Sequence, residues 1–270
     1  MVTNSFFRNN NAEIDRIFRK FSGYPDITRT KMELWLNNFK DGDKNLALKV
    51  LDNIEYFDSS RIFSACQDIL RQVSALEKGN LSKVYFCNFG SPAGSGAYMN
   101  PMFATANGMN NKKWKNHFVQ MHELNSLTAK DDVSIVFLDD FVGSGNQSVY
   151  HWPNIIPIVT DNTKVYLGVV AAFEEGIENI RNNTDLNVLC YKRLNDRNKL
   201  FSPSNTNFTR TEKNTLERYC RIASPSNPHG YGDCQALVVL AYKTPNNTVP
   251  ILTVSRKKWN PIFPRYLNDK

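Results

Sequence analysis

The chain has 270 residues, of which 41% are hydrophobic and 22% are charged, and its net charge at pH 7 is +7. These proportions are typical of a globular protein with a sizeable core, and they exclude a disordered chain. No apolar run approaches the ~20 residues that span a bilayer, and the amino terminus lacks the apolar stretch of a secretory signal. We therefore expect a soluble cytoplasmic protein that does not contact a membrane.

The positive charge is concentrated in residues 181–270, which hold 15 Lys and Arg against 6 Asp and Glu. The first 180 residues hold 18 against 20. A basic C-terminal third indicates either an anionic ligand or partner, such as a phosphorylated sugar, nucleotide or nucleic acid, or a solvated basic face. The five cysteines are an odd number without CxxC spacing. They argue against a disulfide framework and against a zinc site.

Helices are predicted for the first 80 residues, because apolar side chains recur at helical spacing there. The pattern occurs in NAEIDRIFRKFS (11–22), in TKMELWLNNF (30–39) and from Ser60 to Leu76. Gly79 is suited to end the third helix. We expect residues 1–80 to form a helical region whose apolar stripes face a core.

From Lys83 onward the pattern changes to short β-rich runs. The runs are VYFCNF (84–89), VSIVFLDD (133–140), KVYLGVVAA (164–172), NVLCY (187–191) and ALVVLAY (236–242). Helical stretches such as FEEGIENIRNN and TEKNTLERYCRIAS lie between them. Unbroken apolar runs indicate a sheet that is buried on both faces. Residues 81–270 are therefore predicted to form an α/β domain with an open, mainly parallel sheet flanked by helices.

Two polar loops follow predicted strands, and in open parallel sheets ligands bind at the carboxyl ends of strands. The first loop is GSPAGSG (90–96), and the second is DDFVGSGNQ (139–147), which begins with the acid pair Asp139–Asp140 where the strand is expected to end, and which finishes in GSGNQ (143–147). Glycines let backbone N–H groups approach an anion. Adjacent carboxylates can accept hydrogen bonds from vicinal hydroxyls or help to hold Mg²⁺. The pattern therefore indicates a ribose 5-phosphate site, the alternative being a simple turn in which an Asp caps a helix.

The segment VSIVFLDDFVGSGNQ resembles the motif of type I phosphoribosyltransferases. The resemblance implies that Asp139 and Asp140 are catalytic residues, contact the ribose hydroxyls of phosphoribosyl pyrophosphate and act indirectly on Mg²⁺. It also implies two ligand-binding sets: Gly143, Ser144, Gly145, Asn146 and Gln147 around the 5-phosphate, and Gly90, Ser91, Gly94, Ser95 and Gly96 around the pyrophosphate. The chain departs from the usual motif in having Gly143 in place of Thr, and Asn146-Gln147 in place of a small residue and Thr.

A second resemblance covers the C-terminal part, where HGYGDCQALVVLAYKTPNNTVPIL is followed by WNPIFPR. Together with the motif above, it covers residues 80–270. These segments are similar to PRTase-CE, a phosphoribosyltransferase-like branch found in bacterial anti-phage loci that include some retrons. That resemblance implies a defence effector whose partner is a reverse transcriptase, a non-coding RNA or another defence protein.

Three further residues are candidate site residues for which the sequence allows more than one role. Lys113 lies in NNKKWKNHF (110–118), the best candidate for the basic catalytic loop of ordinary family members. His229, in PHGYGD, can bind a base, act as an acid or simply end a strand. Arg265, in PIFPR, can reach a phosphate or pair with a carboxylate.

Three hypotheses for function follow. The leading hypothesis is transfer or hydrolysis at C1 of the ribose, with phosphoribosyl pyrophosphate or a nucleotide as substrate and Mg²⁺ as cofactor. The second is a non-catalytic sensor of such a ligand, which the absence of an alignable basic loop favours. The third is an interaction component that docks on a nucleic acid or a protein.

Overall fold

The computed structural model describes residues 5–90, 96–129, 132–256 and 259–265. The helices of these residues are, in chain order, α1 (Ser5–Asn9), α2 (Asn11–Lys20), α3 (Arg29–Leu36), α4 (Lys44–Asp52), α5 (Ser59–Leu76), α6 (Gly96–Ala106), α7 (Leu124–Thr128), α8 (Asn146–Ile155), α9 (Glu174–Asn183), α10 (Arg210–Ala223) and α11 (Pro250–Thr253). The strands are β1 (Glu55–Phe57), β2 (Val84–Asn88), β3 (Ser134–Val142), β4 (Lys164–Phe173), β5 (Asn187–Leu194) and β6 (Val238–Leu240). None of the helices in these ranges is long and apolar enough to cross a membrane.

The chain divides into two compact units. The first unit combines Met1–Ser59 with Asp196–Lys270, and the second is Ser60–Asn195. The first unit therefore takes residues from both ends of the chain, whereas the second is continuous. The division expected from the sequence, between residues 80 and 81, stays a prediction.

Large aromatic side chains form much of the core of the first unit. The predicted helical stripes are confirmed, since Ile14, Ile17 and Trp35 are fully buried. The indole N–H of Trp35 donates to the carbonyl oxygen of Ile251 at 2.7 Å, and that of Trp259 donates to the same oxygen at 3.0 Å. Because both buried indole groups have acceptors, these side chains add apolar area to the core without an unpaired donor.

The fifth predicted β-run forms a different structure from the one expected. Only Val238–Leu240 is a strand, and it pairs in parallel with β1 to form a separate two-stranded sheet in the first unit. The prediction that this run joins the main sheet was therefore wrong. A sequence pattern indicates that a strand is buried, but it does not indicate which strand is its partner.

The second unit contains a four-stranded parallel sheet with the order β2-β3-β4-β5. Every residue of β3 is buried, and so is every residue of β4 except Lys164. This burial explains why the two central strands read as unbroken apolar runs. The predicted α/β fold with a parallel sheet flanked by helices is confirmed.

Helices cover the sheet of the second unit. Trp152 of α8 and Ile177 of α9 belong to the same core cluster as Phe137 and Leu167 of the central strands. Helix α5 lies close to β4, because a Cβ added at Gly168 would stand 2.7 Å from a methyl carbon of Ile69. The strands run parallel, so their carboxyl ends share one edge of the sheet, and the predicted ligand loops begin there.

Candidate functional site

The acid pair lies within β3 and not in the loop that follows it. Asp139 pairs with Val169, and the ladder between β3 and β4 continues to Val142 and Ala172. Asp139 is 5% exposed and Asp140 is 6% exposed. The expectation that the strand ends at the acids was therefore wrong. The reason is that Phe141 and Val142 continue the β-compatible pattern, and strand β4 is long enough to pair with them.

Because these two carboxyl groups are buried, their hydrogen-bond partners must come from the protein or from a ligand. A buried carboxylate needs hydrogen-bond donors, because the protein interior does not replace the water that it loses. One donor is local, since the backbone N–H of Asp140 donates to Oδ1 of Asp139 at 2.9 Å. Each carboxylate oxygen can accept more than one hydrogen bond, so the hydroxyl groups of a diol suit the pair.

Directly after β3, a glycine turn leads into α8. Gly145 is the residue before the first turn of the helix, and its φ of +76° lies in the left-handed region that favours glycine. Its carbonyl oxygen accepts from the N–H of Val149 at 3.1 Å, so helical hydrogen bonding begins at this glycine. The first N–H groups of a helix lack partners within the helix, and its dipole favours an anion at this end. The turn is thus suited to a phosphate.

Helix α9 supports this turn, which the sequence analysis did not foresee. A Cβ added at Gly145 would lie 2.5 Å from the carbonyl oxygen of Gly176, and one added at Gly176 would overlap the carbonyl oxygen of Gly143. The side-chain amide of Asn179 donates to the carbonyl oxygen of Ser144 at 2.7 Å and to Oδ1 of Asn146 at 3.0 Å. The signal available in the sequence was Gly176, because a glycine inside a helical pattern indicates close backbone packing.

The start of the first glycine loop lies beside the second loop. Gly90 has a φ of +80°, and a Cβ added there would lie 3.3 Å from Nε2 of Gln147. The structure therefore brings together one residue of each predicted loop. Gly96 is the first residue of α6. Ser91, Gly94 and Ser95 lie outside the described residues.

The basic segment 110–118 lies along the outer edge of β2. Phe118 forms a parallel bridge with Phe86, and Nδ1 of His117 donates to the carbonyl oxygen of Val84 at 2.8 Å. The ammonium group of Lys113 stands 5.0 Å from the centre of the Trp114 ring, a cation–π contact. These contacts attach the segment to β2, the strand next to the one that carries the acid pair.

His229 and Arg265 belong to the first unit. Nδ1 of His229 is hydrogen-bonded to the carboxylate of Asp233, and its Nε2 lies 3.5 Å from Oε1 of Glu217. The backbone N–H of Arg265 donates to the carbonyl oxygen of Thr253 at 3.2 Å. The acid pair and the glycine turn belong to the second unit, and roles of His229 and Arg265 at the site stay predictions.

The cysteines do not form disulfides with one another. Burial raises the pKa of Cys66 and of Cys87 to about 12, and the nearby charge of Glu123 contributes at Cys87. Both thiols are therefore protonated at neutral pH and pack as small apolar side chains.

A comparison of the chain with models of protein families agrees with this geometry. A family model described as PRTase-CE matches residues 32–265 of this chain. None of the curated proteins matches the chain. The matched range includes the acid pair, both glycine loops and most of each compact unit. The chain therefore belongs to the PRTase-CE family, and its function is of the phosphoribosyltransferase type.

Proposed function

We propose that the second unit binds the ribose 5-phosphate part of phosphoribosyl pyrophosphate. Asp139 and Asp140 accept hydrogen bonds from the ribose hydroxyls, and residues 143–147 surround the 5-phosphate. The proposal rests on the order of three features along the chain. Two buried carboxyl groups near the end of β3 are followed by a glycine turn and then by the amino end of α8. The vicinal diol and the 5-phosphate of one ribose 5-phosphate match that order.

The proposed pyrophosphate site is the loop that begins at Gly90. Its members are Gly90, Ser91, Gly94, Ser95 and Gly96. The positive φ of Gly90 and its position beside Gln147 support the proposal, because they place the start of this loop next to the phosphate turn. Backbone N–H groups of such a loop are suited to the oxygen atoms of a pyrophosphate.

Asp139 and Asp140 are also the residues that we propose to hold Mg²⁺ together with the substrate. Among the described residues there is no group of three or more His, Cys, Asp or Glu side chains that could hold a metal ion by themselves. Two carboxylates and the oxygen atoms of a phosphorylated sugar do suit Mg²⁺, which is commonly bound by one or two carboxylates plus substrate phosphates. When bound, Mg²⁺ would neutralise negative charge on the leaving pyrophosphate.

The proposed reaction takes place at C1 of the ribose. The bond from C1 to the pyrophosphate oxygen breaks, the pyrophosphate keeps the electron pair, and an acceptor forms the new bond to C1 and releases its proton to the solvent. The sugar carries positive charge during this step. The role of Asp139 and Asp140 is to hold the hydroxyl groups so that C1 faces the acceptor, and their negative charge favours the positive sugar. Water as the acceptor gives hydrolysis, and any other nucleophile gives transfer.

The proposed setting is anti-phage defence, with a reverse transcriptase, a non-coding RNA or another defence protein as partner. The resemblance of the C-terminal segment to defence-associated proteins supports this part of the proposal. The basic charge of residues 181–270 is compatible with a nucleic-acid partner.

A non-catalytic sensor is the second candidate, and one observation favours it. Ordinary family members have a flexible basic loop for catalysis, whereas the basic segment of this chain is attached to β2 through Phe118 and His117. A protein that binds phosphoribosyl pyrophosphate without releasing pyrophosphate would fit this arrangement.

Two assays on the same samples test the proposal. The first is the increase of the melting temperature with phosphoribosyl pyrophosphate and Mg²⁺, and the second is release of pyrophosphate. We expect stabilisation in the wild type, because a ligand that binds only the folded state raises its stability. Stabilisation with pyrophosphate release supports the enzyme, and stabilisation without release supports the sensor. No stabilisation at millimolar ligand would contradict both.

A further inference from the structure

The second unit contains a cavity at the outer edge of β2 that the proposed phosphoribose site does not use. Its volume is about 710 Å³, which lies within the range of about 300–1,000 Å³ for small-molecule sites. Its apolar walls are Pro101, Ala104, Met109 and Phe118. Its polar residues among those described are Asn88, Asn100, Asn110, Asn111, Lys112, Lys115 and Gln120.

Two of the asparagines have side-chain oxygen atoms that lack a hydrogen-bond partner in the part of the chain that the structure describes. Oδ1 of Asn88 and Oδ1 of Asn100 are buried, and neither has a hydrogen-bond partner among the described residues. Asn110 and Asn111 line the same cavity but differ, because their amides donate to Oγ1 of Thr105 and to the carbonyl oxygen of Gly108, both at 2.9 Å. A buried polar atom without a hydrogen bond is unfavourable, so the first two amides indicate a ligand that donates N–H groups.

We propose that this cavity binds an adenine nucleotide. An asparagine amide pairs with adenine in two places, because its oxygen accepts from the amino group while its N–H₂ donates to a ring nitrogen. The amino group of adenine has two N–H bonds, one for each of the oxygen atoms of Asn88 and Asn100. Phe118 provides an aromatic face for the ring.

The charge of the cavity agrees with a phosphorylated ligand. Lys112 and Lys115 are its charged lining residues, and no acidic side chain is among the described residues that line it. Both lysines are exposed, so they contribute favourable potential more than a rigid contact. We therefore expect the phosphate of the nucleotide beside Lys112 and Lys115.

The position of the cavity connects it to the proposed reaction. Asn88 is the last residue of β2 and pairs with Leu138, the residue before Asp139. Neighbouring strands lie about 4.8 Å apart, so the cavity reaches the same edge of the sheet as the acid pair. The inference deepens the proposed function by naming a second ligand beside the phosphoribose site. The role of this ligand in the reaction rests on the proposed function, whereas its binding to the cavity does not.

Calorimetric titration of the full chain with adenosine 5′-monophosphate (AMP) tests this inference. The variants are Asn88→Ala and Asn100→Ala, and the matched control is Asn116→Ala, an exposed asparagine of the neighbouring segment that does not line the cavity. Alanine is the better helix former, so Asn100→Ala is expected to keep the fold of α6. We expect AMP to bind at least about tenfold more weakly to each cavity variant and equally to the control.

Two comparisons separate this site from the phosphoribose site. Inosine 5′-monophosphate lacks the amino group, so we expect it to bind the wild type at least about tenfold more weakly than AMP. Because AMP also carries a ribose 5-phosphate, the variant with both Asp139→Asn and Asp140→Asn is expected to lose any AMP binding at the acid pair and to retain AMP binding at the cavity. Equal affinities for the two nucleotides, or AMP binding that is lost in the acid variant but kept in Asn100→Ala, would overturn the inference. So would the absence of AMP binding to the wild type.

Each proposal can fail without the other. If phosphoribosyl pyrophosphate does not bind while AMP binds as described, the proposed function fails and the cavity assignment stands. If phosphoribosyl pyrophosphate binds and depends on the acid pair while AMP does not bind, the inference about the cavity fails alone.

Discussion

Close backbone contacts occur in both compact units, since a Cβ added at Gly230 of the first unit would lie 2.5 Å from the carbonyl oxygen of Asn247, but their surroundings differ. In the first, large side chains contact one another: Phe21 packs edge-on against Phe263 and Trp35 against Phe39, each at 4.9 Å between ring centres. In the second, the backbone of one element approaches the backbone of another at Gly145 and Gly176. Side-chain packing stabilises a fold, whereas close backbone packing also fixes the shape of a turn, and this turn leads into the amino end of α8. The difference suggests that the ligand site depends on a few glycines in the second unit.

The largest effect is expected from adding a methyl group at the glycine turn. Gly145→Ala places a Cβ at a positive φ and 2.5 Å from the carbonyl oxygen of Gly176. The two strains together should lower the free energy of unfolding by about 2–5 kcal/mol. The variant should also bind phosphoribosyl pyrophosphate more weakly, because the phosphate turn must shift. Denaturant unfolding and calorimetry measure these two effects.

Gly42→Ala is the matched control for that substitution. Nothing lies within 4 Å of a Cβ at Gly42, and its φ is not in the left-handed region. We expect unchanged or slightly greater stability, since alanine restricts the unfolded chain. An equal loss of stability in both variants would show that close packing at Gly145 has no special role.

A comparable loss of stability without loss of ligand affinity is expected in the first unit. Trp35→Ala removes a fully buried indole and its hydrogen bond to Ile251, which should cost about 3–5 kcal/mol. The affinity of the remaining folded protein for phosphoribosyl pyrophosphate should equal that of the wild type. Calorimetry at a temperature where the variant is folded measures it, and a tenfold weaker affinity would contradict the assignment of the site to the second unit.

A smaller effect is expected where α9 supports the phosphate turn. Asn179→Ala removes three hydrogen bonds, two donated to Ser144 and Asn146 and one accepted from Asn183, and should lower stability by about 0.5–1.5 kcal/mol because these groups are partly exposed. We expect ligand affinity to fall by about three- to tenfold because the turn is less well held. Asn182→Ala, at an exposed position of the same helix, is the control and should change neither quantity. Equal affinities in the two variants would argue that α9 does not position the turn.

The smallest effect is a dependence of stability on pH at Glu77. Burial acts to raise the pKa of this carboxyl group, but hydrogen bonds from Tyr166, Lys164 and Ser134 and the charge of Lys164 together outweigh it, so the pKa is lowered. A lowered pKa in the folded state stabilises the protein above the ordinary pKa of Glu, and the contribution is lost as the pH falls through the lowered value.

Glu77→Gln isolates that contribution. The hydroxyl of Tyr166 donates to Glu77 at 2.6 Å, and the ammonium of Lys164 does so at 3.1 Å. We expect the variant to be less stable than the wild type by about 1 kcal/mol at pH 7, with the difference shrinking as the pH falls through the lowered pKa of Glu77. Unfolding curves across this pH range measure the difference. A difference that does not change with pH would contradict the lowered pKa.

The sequence predicted the main strands well because their residues are buried on both faces. VSIVFLDD and KVYLGVVAA can be recognised as strands without any knowledge of their partners. Strand β1 was not predicted, because three residues are too few to establish an alternating pattern. The partner of β6 could not be predicted either, since it lies about 180 residues earlier in the chain.

The candidate site was predictable in its local parts only. The acid pair and the glycine turn are adjacent in the sequence, so their proximity in space could be predicted without knowledge of the fold. Gly176 and Asn179 contact the turn from a helix about 30 residues later, and on that helix an asparagine resembles any other solvated polar residue. The burial of Asp139 and Asp140 was missed because it depends on how far β4 extends beside them.

The most direct test of the central claim is a calorimetric titration of phosphoribosyl pyrophosphate with Mg²⁺ into the wild type and into the Asp139→Asn, Asp140→Asn variant. Asn keeps the size of each side chain, and a matched variant with Asp132→Asn and Asp161→Asn changes two exposed carboxylates that precede β3 and β4. We predict that the wild type and the matched variant bind equally, while the acid variant, folded by circular dichroism, binds at least about a hundredfold more weakly. Equal binding by all three proteins would contradict the phosphoribose site.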